Sequence, residues 1–307
     1  MKGIEKVAVI GLGALGIMYA DFFTQAHGSH SVTVIADECR IRRYRARQIC
    51  CNGNPCTFSF ETPDKYGKSA DLVIVAVKAT ALNEVLEHIS CISKSDTVII
   101  SVLNGITSED IIESHVSEGT VIDCVSVGMD TLREGLDVTY SKIGFLSVGI
   151  KAGEQHKQEA LKRLESFFDR THFVYRHEQD IRHRMWSKWM LNVGINQVVM
   201  VEQGTFATVQ REGKARERMI GAMREVIAVA KCEGMDLGES DIEEYMALLA
   251  DFMPNGMPSM RQDGVARRYS EVECFSGELI KRARHFGVSV PINEALYREI
   301  RYVESKY

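Results

Sequence analysis

The run Gly11-Leu12-Gly13-Ala14-Leu15-Gly16 constrains this chain more than any other feature, because an apolar β-branched run, Val7–Ile10, stands directly before it and an amphipathic stretch, 17–26, directly after. G-x-G-x-x-G between a strand and a helix is a turn suited to phosphate. The first glycine permits the tight turn, the second lets backbone approach a pyrophosphate, the third lets helix and strand pack closely, and the helix N-terminus attracts the anion. The spacing alone is weak evidence. With the flanking strand and helix, and a second strand at 31–36, it reads as a dinucleotide-binding turn.

The first half continues in the same rhythm. Apolar runs at 72–77 and 98–102 read as buried strands and 82–89 as a helix between them, which predicts a parallel sheet covered on both faces. Strand-like runs follow at 121–127, 138–140, 145–148 and 173–175, with an amphipathic helix over 155–168 before the last. Near His177 the character changes. Met185, Trp189, Val193 and Asn196 recur at helical spacing, as do Ile220, Met223, Val226, Ile227 and Ala230. The expected fold is α/β: a Rossmann-type doubly wound sheet over residues 1–177 that binds the dinucleotide, then an all-helical domain over 178–307 that carries substrate and catalysis.

Composition narrows the partners. The 307 residues are 45% hydrophobic and 26% charged, as in globular proteins, and the net charge of −5 gives no basic field for nucleic acid or an anionic membrane. Basic clusters such as Arg40 to Arg47 read as a solvated helix face. No apolar run approaches the ~20 residues of a membrane span, and the chain opens on strand residues rather than a secretory leader. Of eight cysteines only Cys50, Cys51 and Cys56 cluster, without zinc-type spacing. The expectation is a cytoplasmic protein with reduced thiols and no metal.

Candidate site residues fall in both halves. Asp37 ends the second strand. An acid there binds adenosine ribose hydroxyls and favours NADH, or merely caps the next helix, while Arg40, Arg42 and Arg43 offer guanidinium groups to the 2′-phosphate of NADPH. Lys78 ends the 72–77 strand and Asn104-Gly105 the 98–102 strand; ligands in open α/β sheets bind beyond such carboxyl ends, although a solvated charge and an ordinary turn are the plainer readings. Lys188, Asn192 and Asn196 are four residues apart, which puts them on one helix face drifting ~40° per step. They lie among apolar Met190, Leu191, Val193 and Ile195. Buried polar groups need partners, and either a bound oxo acid or a structural interface supplies them here. Ser259 falls in a proline-rich loop, 254–263, where hydroxyls commonly form turns. Ser270-Glu271-Val272-Glu273 reads as a capping box that accounts for Glu273 and leaves Glu271 to the helix dipole or to a site.

Taken together, these residues resemble the ketopantoate reductase (2-dehydropantoate 2-reductase) family over nearly the whole chain, from Gly11 to Pro291. The pieces are the G-L-G-A-L-G turn, V-K at Lys78, N-G at Asn104, K-x-x-x-N-x-x-x-N at Lys188, S-M-x-Q-D at Ser259, and S-E-V-E followed by G-E-L at Gly277. The resemblance implies NADPH-dependent reduction of 2-dehydropantoate to (R)-pantoate, a step of pantothenate and coenzyme A biosynthesis. It implies Lys188 as proton donor, with Asn192, Asn196, Asn104 and Ser259 holding the substrate. Glu271 serves the substrate and cofactor region; the glycine turn (Gly11, Leu12, Gly13, Ala14, Leu15, Gly16), Lys78 and Asn104 bind the dinucleotide. It also implies a site in the cleft between domains and a homodimer through the helical half. Two departures stand out: Asp37 occupies a position that is commonly basic, so NADH competes with NADPH, and 197–206 lacks an asparagine that some members use for substrate. The rival readings are reduction of a different small 2-oxo acid and a non-catalytic dinucleotide sensor.

Overall fold

The computed structural model describes residues 3–28 and 30–307. They divide between residues 181 and 182 into two compact units, and the boundary falls one residue into a long helix.

In the first unit, strands run in the order β1 (Val7–Ile10), β2 (Val32–Ile35), β3 (Cys50–Cys51), β4 (Asn54–Pro55), β5 (Ser59–Glu61), β6 (Leu72–Val75), β7 (Val98–Ser101), β8 (Thr120–Val127), β9 (Leu132–Glu134), β10 (Asp137–Thr139), β11 (Phe145–Gly149) and β12 (Tyr175–His177). Between them lie α1 (Ala14–His27), α2 (Glu38–Arg45), α3 (Pro63–Tyr66), α4 (Leu82–Ile92), α5 (Ser108–His115) and α6 (Gln158–Thr171). Eight strands make one sheet, in the order β12-β11-β8-β7-β6-β1-β2-β5. Alternate side chains leave a strand on opposite faces, and the core divides accordingly. Val7, Val9, Leu72, Ile74, Val98 and Ile100 pack with Ile17 and Phe23 of α1 and Leu161, Leu164 and Phe168 of α6. Ala8, Ile10, Val73, Val75 and Ile99 pack with Val85, Leu86 and Ile89 of α4 and Ile112 of α5. Helices therefore cover both faces, as the near-continuous apolar strands require.

The sheet is not wholly parallel. β11 runs antiparallel to β8, because no crossover helix lies between them and only a crossover connection makes neighbouring strands parallel. That connection instead holds β9 and β10, which join β3 and β4 in a four-stranded sheet, β4-β3-β10-β9. Asn52 (φ 49°) and Gly53 (φ 78°) close the β3–β4 hairpin, the left-handed pair a two-residue hairpin turn takes. The last strand lies at Tyr175–His177, two residues beyond the apolar run that announces it.

The second unit contains α7 (Ile181–Val201), α8 (Ala207–Gln210), α9 (Lys214–Cys232), α10 (Glu239–Ala250), α11 (Ser259–Val265), α12 (Ser276–Phe286) and α13 (Pro291–Glu304). Its core is laced by amides. Gln197 of α7 accepts from the Ser276 hydroxyl at 2.6 Å and donates to Asn293 Oδ1 at 3.3 Å, and Asn293 donates to Glu225 of α9 at 2.7 Å. Gln197, Ser276 and Asn293 are buried polar groups that find partners on other helices, which fixes the register of α7 against its neighbours. No helix among the described residues is long and apolar enough to cross a membrane.

Candidate active site

The strand order reverses at the junction of β1 and β6: from β1 the sheet grows through β2 to β5, then returns to place β6 on the other side of β1. Ligands of doubly wound sheets bind outside the carboxyl ends at such a switch point. Four features chosen from the sequence lie along this edge, after β2, β1, β6 and β7 in spatial order: Asp37, the glycine turn, Lys78 and Asn104.

The three glycines meet different demands. Gly11 has φ 101°, and a Cβ there would lie 2.8 Å from the Ala76 carbonyl and from Val77. At Gly16 a Cβ would lie 1.9 Å from the Gly11 carbonyl oxygen. Both are required by the chain's own packing of β1, α1 and the end of β6. At Gly13 the nearest atom to an added Cβ is the Ala76 oxygen at 3.6 Å, an ordinary contact. Nothing inside the protein requires glycine at position 13, and the space its missing side chain leaves is outside the turn, at the start of α1, where no side chain caps the helix. That is the cradle a pyrophosphate fits.

Asp37 does cap α2: its Oδ1 accepts from the Arg40 backbone N–H at 2.7 Å. The Arg40 Nε lies 3.4 Å from Asp37 Oδ2, and the Arg40 Nη2 3.4 Å from Glu84. The Arg40 backbone N–H, with the Arg40 and Arg43 charges, holds the Asp37 carboxyl below the usual range. Lys78 is exposed and precedes a short 3₁₀ turn, Ala79–Ala81, so it lies three residues past the end of β6 rather than on it. Asn104 is half-buried in the loop between β7 and α5.

In the second unit α7 carries Lys188, Asn192 and Asn196 as a single stripe. Lys188 and Asn192 are half-buried and Asn196 is 5% exposed. The Met260 backbone N–H donates to Asn196 Oδ1 at 3.3 Å. A backbone N–H only donates, so that atom is the amide oxygen, and the Ser259 hydroxyl 3.3 Å away donates to it too. The Asn196 NH₂ then faces Asn192 Oδ1 at 3.1 Å. This leaves the Asn192 NH₂ as a donor with no bond to another described residue. Ser259 is the first residue of α11, following Pro258, rather than part of a loop.

The capping box at Ser270 does not form. The Ser270 backbone N–H and hydroxyl both donate to the buried Glu304, at 2.7 and 2.6 Å, and Glu273 accepts from the Tyr297 hydroxyl at 2.6 Å. A buried carboxylate from α13 outcompetes the local cap. Glu271 is half-buried and begins a 3₁₀ turn, Val272–Cys274. The Trp189 indole donates to the Cys274 carbonyl at 2.7 Å, which ties that turn to α7 at the residue next to Lys188. Burial, then Glu271, pushes the Cys274 thiol up to about 12. Structure therefore joins Asn192, Asn196 and Ser259 by direct bonds and brings Glu271's turn to the Lys188 end of the stripe. The Trp189 tether had no signal in the sequence, where Trp189 counts only as a helical apolar position.

One buried group escaped sequence reasoning altogether. Glu109 is 3% exposed, and burial, with the Asp123 charge, pushes its carboxyl up to about 8. Asp123 itself is pushed up to about 6 by burial, against the pull of Lys151 and Lys157. Both folded-state values exceed the ordinary ones, so the folded protein holds more protons than the unfolded chain between about pH 4 and 8. The stability these groups contribute is complete below that window and lost as pH rises through it. Melting temperature should therefore fall from pH 5 to pH 8, and less steeply in Glu109→Gln; superimposable profiles for the two proteins would contradict the assignment.

A largely parallel sheet with a G-x-G-x-x-G switch point, followed by a helical unit bearing a Lys-Asn-Asn stripe, is the layout of two-part dinucleotide oxidoreductases. Within that class, the chain belongs to the ketopantoate reductase family: the Ketopantoate reductase PanE/ApbA model matches residues 7–153, and its C-terminal counterpart residues 180–304. A 2-dehydropantoate 2-reductase of Pyrobaculum aerophilum is 26% identical over 301 residues, covering 97% of each chain. The dimeric ketopantoate reductase of Staphylococcus aureus superposes with a TM-score of 0.80 at 23% identity, over 98% of this chain and 99% of that one. D-mandelate dehydrogenase in complex with NADH and anilino(oxo)acetate superposes with a TM-score of 0.86 at 22% identity, again over 98% and 99%.

Proposed function

We propose that the chain reduces 2-dehydropantoate to (R)-pantoate with a reduced nicotinamide dinucleotide, unit 1 holding the dinucleotide and unit 2 the oxo acid. The observation that carries this reading is the α7 stripe, in which the Asn196 amide is turned by Met260 so that the Asn192 NH₂ remains as a donor on the face that also bears Lys188. When bound, the dinucleotide supplies a hydride to the ketone carbon. The chain's own groups do the rest. The Lys188 ammonium meets the negative charge that grows on the ketone oxygen and then delivers a proton to it. Asn192, through its NH₂, donates to the oxo acid, and Ser259, whose proton goes to Asn196, accepts from the hydroxyl of 2-dehydropantoate, with Asn196 holding both side chains in place. Glu271, whose turn the Trp189 indole ties to α7 next to Lys188, positions the Lys188 ammonium. In assembly the reading follows the dimeric Staphylococcus aureus relative, a homodimer.

The dinucleotide proposed is NADPH. Asp37 opposes a 2′-phosphate by charge, but its carboxyl is committed to the α2 cap and to Arg40; Arg43 adds a guanidinium group, and Arg40 and Arg42 exchange their exposed pairs with Glu84 and Glu38 for the phosphate. Asp37→Ala should strengthen the preference for NADPH, and Arg40→Ala should weaken NADPH far more than NADH. Steady-state kinetics with both dinucleotides check this, and a tenfold or greater preference of the unmodified protein for NADH, about 1.4 kcal/mol, would show that Asp37 dominates.

A second reading, reduction of a different 2-oxo acid, is favoured by one observation: the superposition on D-mandelate dehydrogenase is as extensive as that on the ketopantoate reductase. A panel containing 2-dehydropantoate, aryl 2-oxo acids and small aliphatic 2-oxo acids tests the choice. The account expects the highest kcat/KM with 2-dehydropantoate, and a higher value with an aryl 2-oxo acid overturns the named substrate.

A further inference from the structure

We propose that Glu109 is a positioning residue for the dinucleotide-binding edge, holding the loop that carries Asn104 and Gly105 through a relay of Ser108 and Ser101. The inference rests on the reading that this edge holds the dinucleotide. Ser101 is the last residue of β7 and Ser108 the first of α5, so the pair brackets the six residues 102–107. All three side chains of the relay are buried. The Ser108 hydroxyl donates to Glu109 Oε2 at 2.8 Å. A hydroxyl has one proton, so the 2.8 Å contact between Ser101 Oγ and Ser108 Oγ runs with Ser101 as donor. The Ser101 oxygen in turn accepts from the Leu103 backbone N–H at 3.4 Å. With the proton of the neutral carboxyl on Oε1, the chain of donors runs from the loop backbone to Glu109 Oε2, the acceptor on which it ends.

A first-turn acid needs no such surroundings. Glutamate at the start of a helix is normally exposed and serves the dipole from solvent, whereas this one is buried at the cost of its ordinary ionisation. Buried polar relays, when every member is satisfied, fix one conformation of the backbone they join. Here the joined backbone is the loop that leads from the end of β7 to the first turn of α5. A glutamine at 109 retains an acceptor oxygen for Ser108, and a leucine does not. The two substitutions therefore separate the relay from mere filling of space.

The test combines amide hydrogen exchange across 102–107 with NADPH titration and steady-state kinetics for Ser108→Ala, Glu109→Leu and Glu109→Gln. Expected in the alanine and leucine variants is exchange at least tenfold faster in this loop, a dissociation constant for NADPH raised at least fivefold, and kcat at saturation within twofold. Expected in Glu109→Gln is retention of all three values within twofold. Should Glu109→Leu not fold, Ser108→Ala decides alone, since it removes only one hydroxyl. Unchanged exchange and affinity in the folded variants, or a glutamine variant as impaired as the leucine one, overturns the inference alone. Failure of the unmodified protein to bind the dinucleotide overturns the underlying reading itself.

Discussion

Lys188→Ala yields a folded protein whose kcat for the oxo acid is lower by ~100-fold or more, the usual scale for a lost general acid. The variant should fold because Lys188 is half-buried in the middle of α7, where alanine is a better helix former and the neighbouring anchors, buried Ser187 and Trp189, are untouched. Chemistry should suffer because no other ammonium stands on the stripe. Asn192→Ala should behave differently, raising KM with little change in kcat, since its NH₂ orients substrate rather than moving a proton. Asn196→Ala is the less clean variant: it strips the partner from the buried Met260 N–H, which costs about 1–3 kcal/mol of stability. Activity of Lys188→Ala within a few-fold of the unmodified protein would remove Lys188 from the chemistry.

Gly13→Val abolishes dinucleotide binding while leaving the fold in place. At φ −75° and ψ −170° Gly13 is in extended backbone that valine adopts without strain, and a Cβ has ordinary room against Ala76. The penalty to folding is the weaker N-cap, about 1 kcal/mol. Loss of binding by a protein that still melts cooperatively therefore reports the pyrophosphate, not the scaffold. Alanine at Gly16 is the contrasting case, because its Cβ would overlap the Gly11 carbonyl and the turn itself would have to open. Calorimetry or nicotinamide fluorescence on both variants separates the two effects, and micromolar binding by Gly13→Val would refute the phosphate-cradle assignment.

The elements legible in the sequence are those whose chemistry is local. The glycine turn, the Lys78 and Asn104 positions and the Lys188-Asn192-Asn196 stripe each follow from spacing and from the strand or helix beside them. What the sequence hid depends on partners distant in the chain. The Ser270 cap was displaced by Glu304, 34 residues on, and Glu273 was taken by Tyr297. The β3 and β4 strands are two residues long, too short for any alternation to register, although Asn52-Gly53 marks their turn. The antiparallel β11 was legible only as a missing crossover helix. Glu109 reads as an ordinary first-turn acid until its burial is known.

The central claim is that this fold transfers a hydride to a 2-oxo acid, and the most direct measurement is NADPH oxidation by the unmodified protein with and without 2-dehydropantoate. The account predicts no oxidation without the oxo acid, steady oxidation with it, one pantoate formed per NADPH consumed, and near-complete loss in Lys188→Ala. A folded protein that binds NADPH yet oxidises none of it, with 2-dehydropantoate or any other small 2-oxo acid, would contradict the claim and leave a dinucleotide sensor in its place.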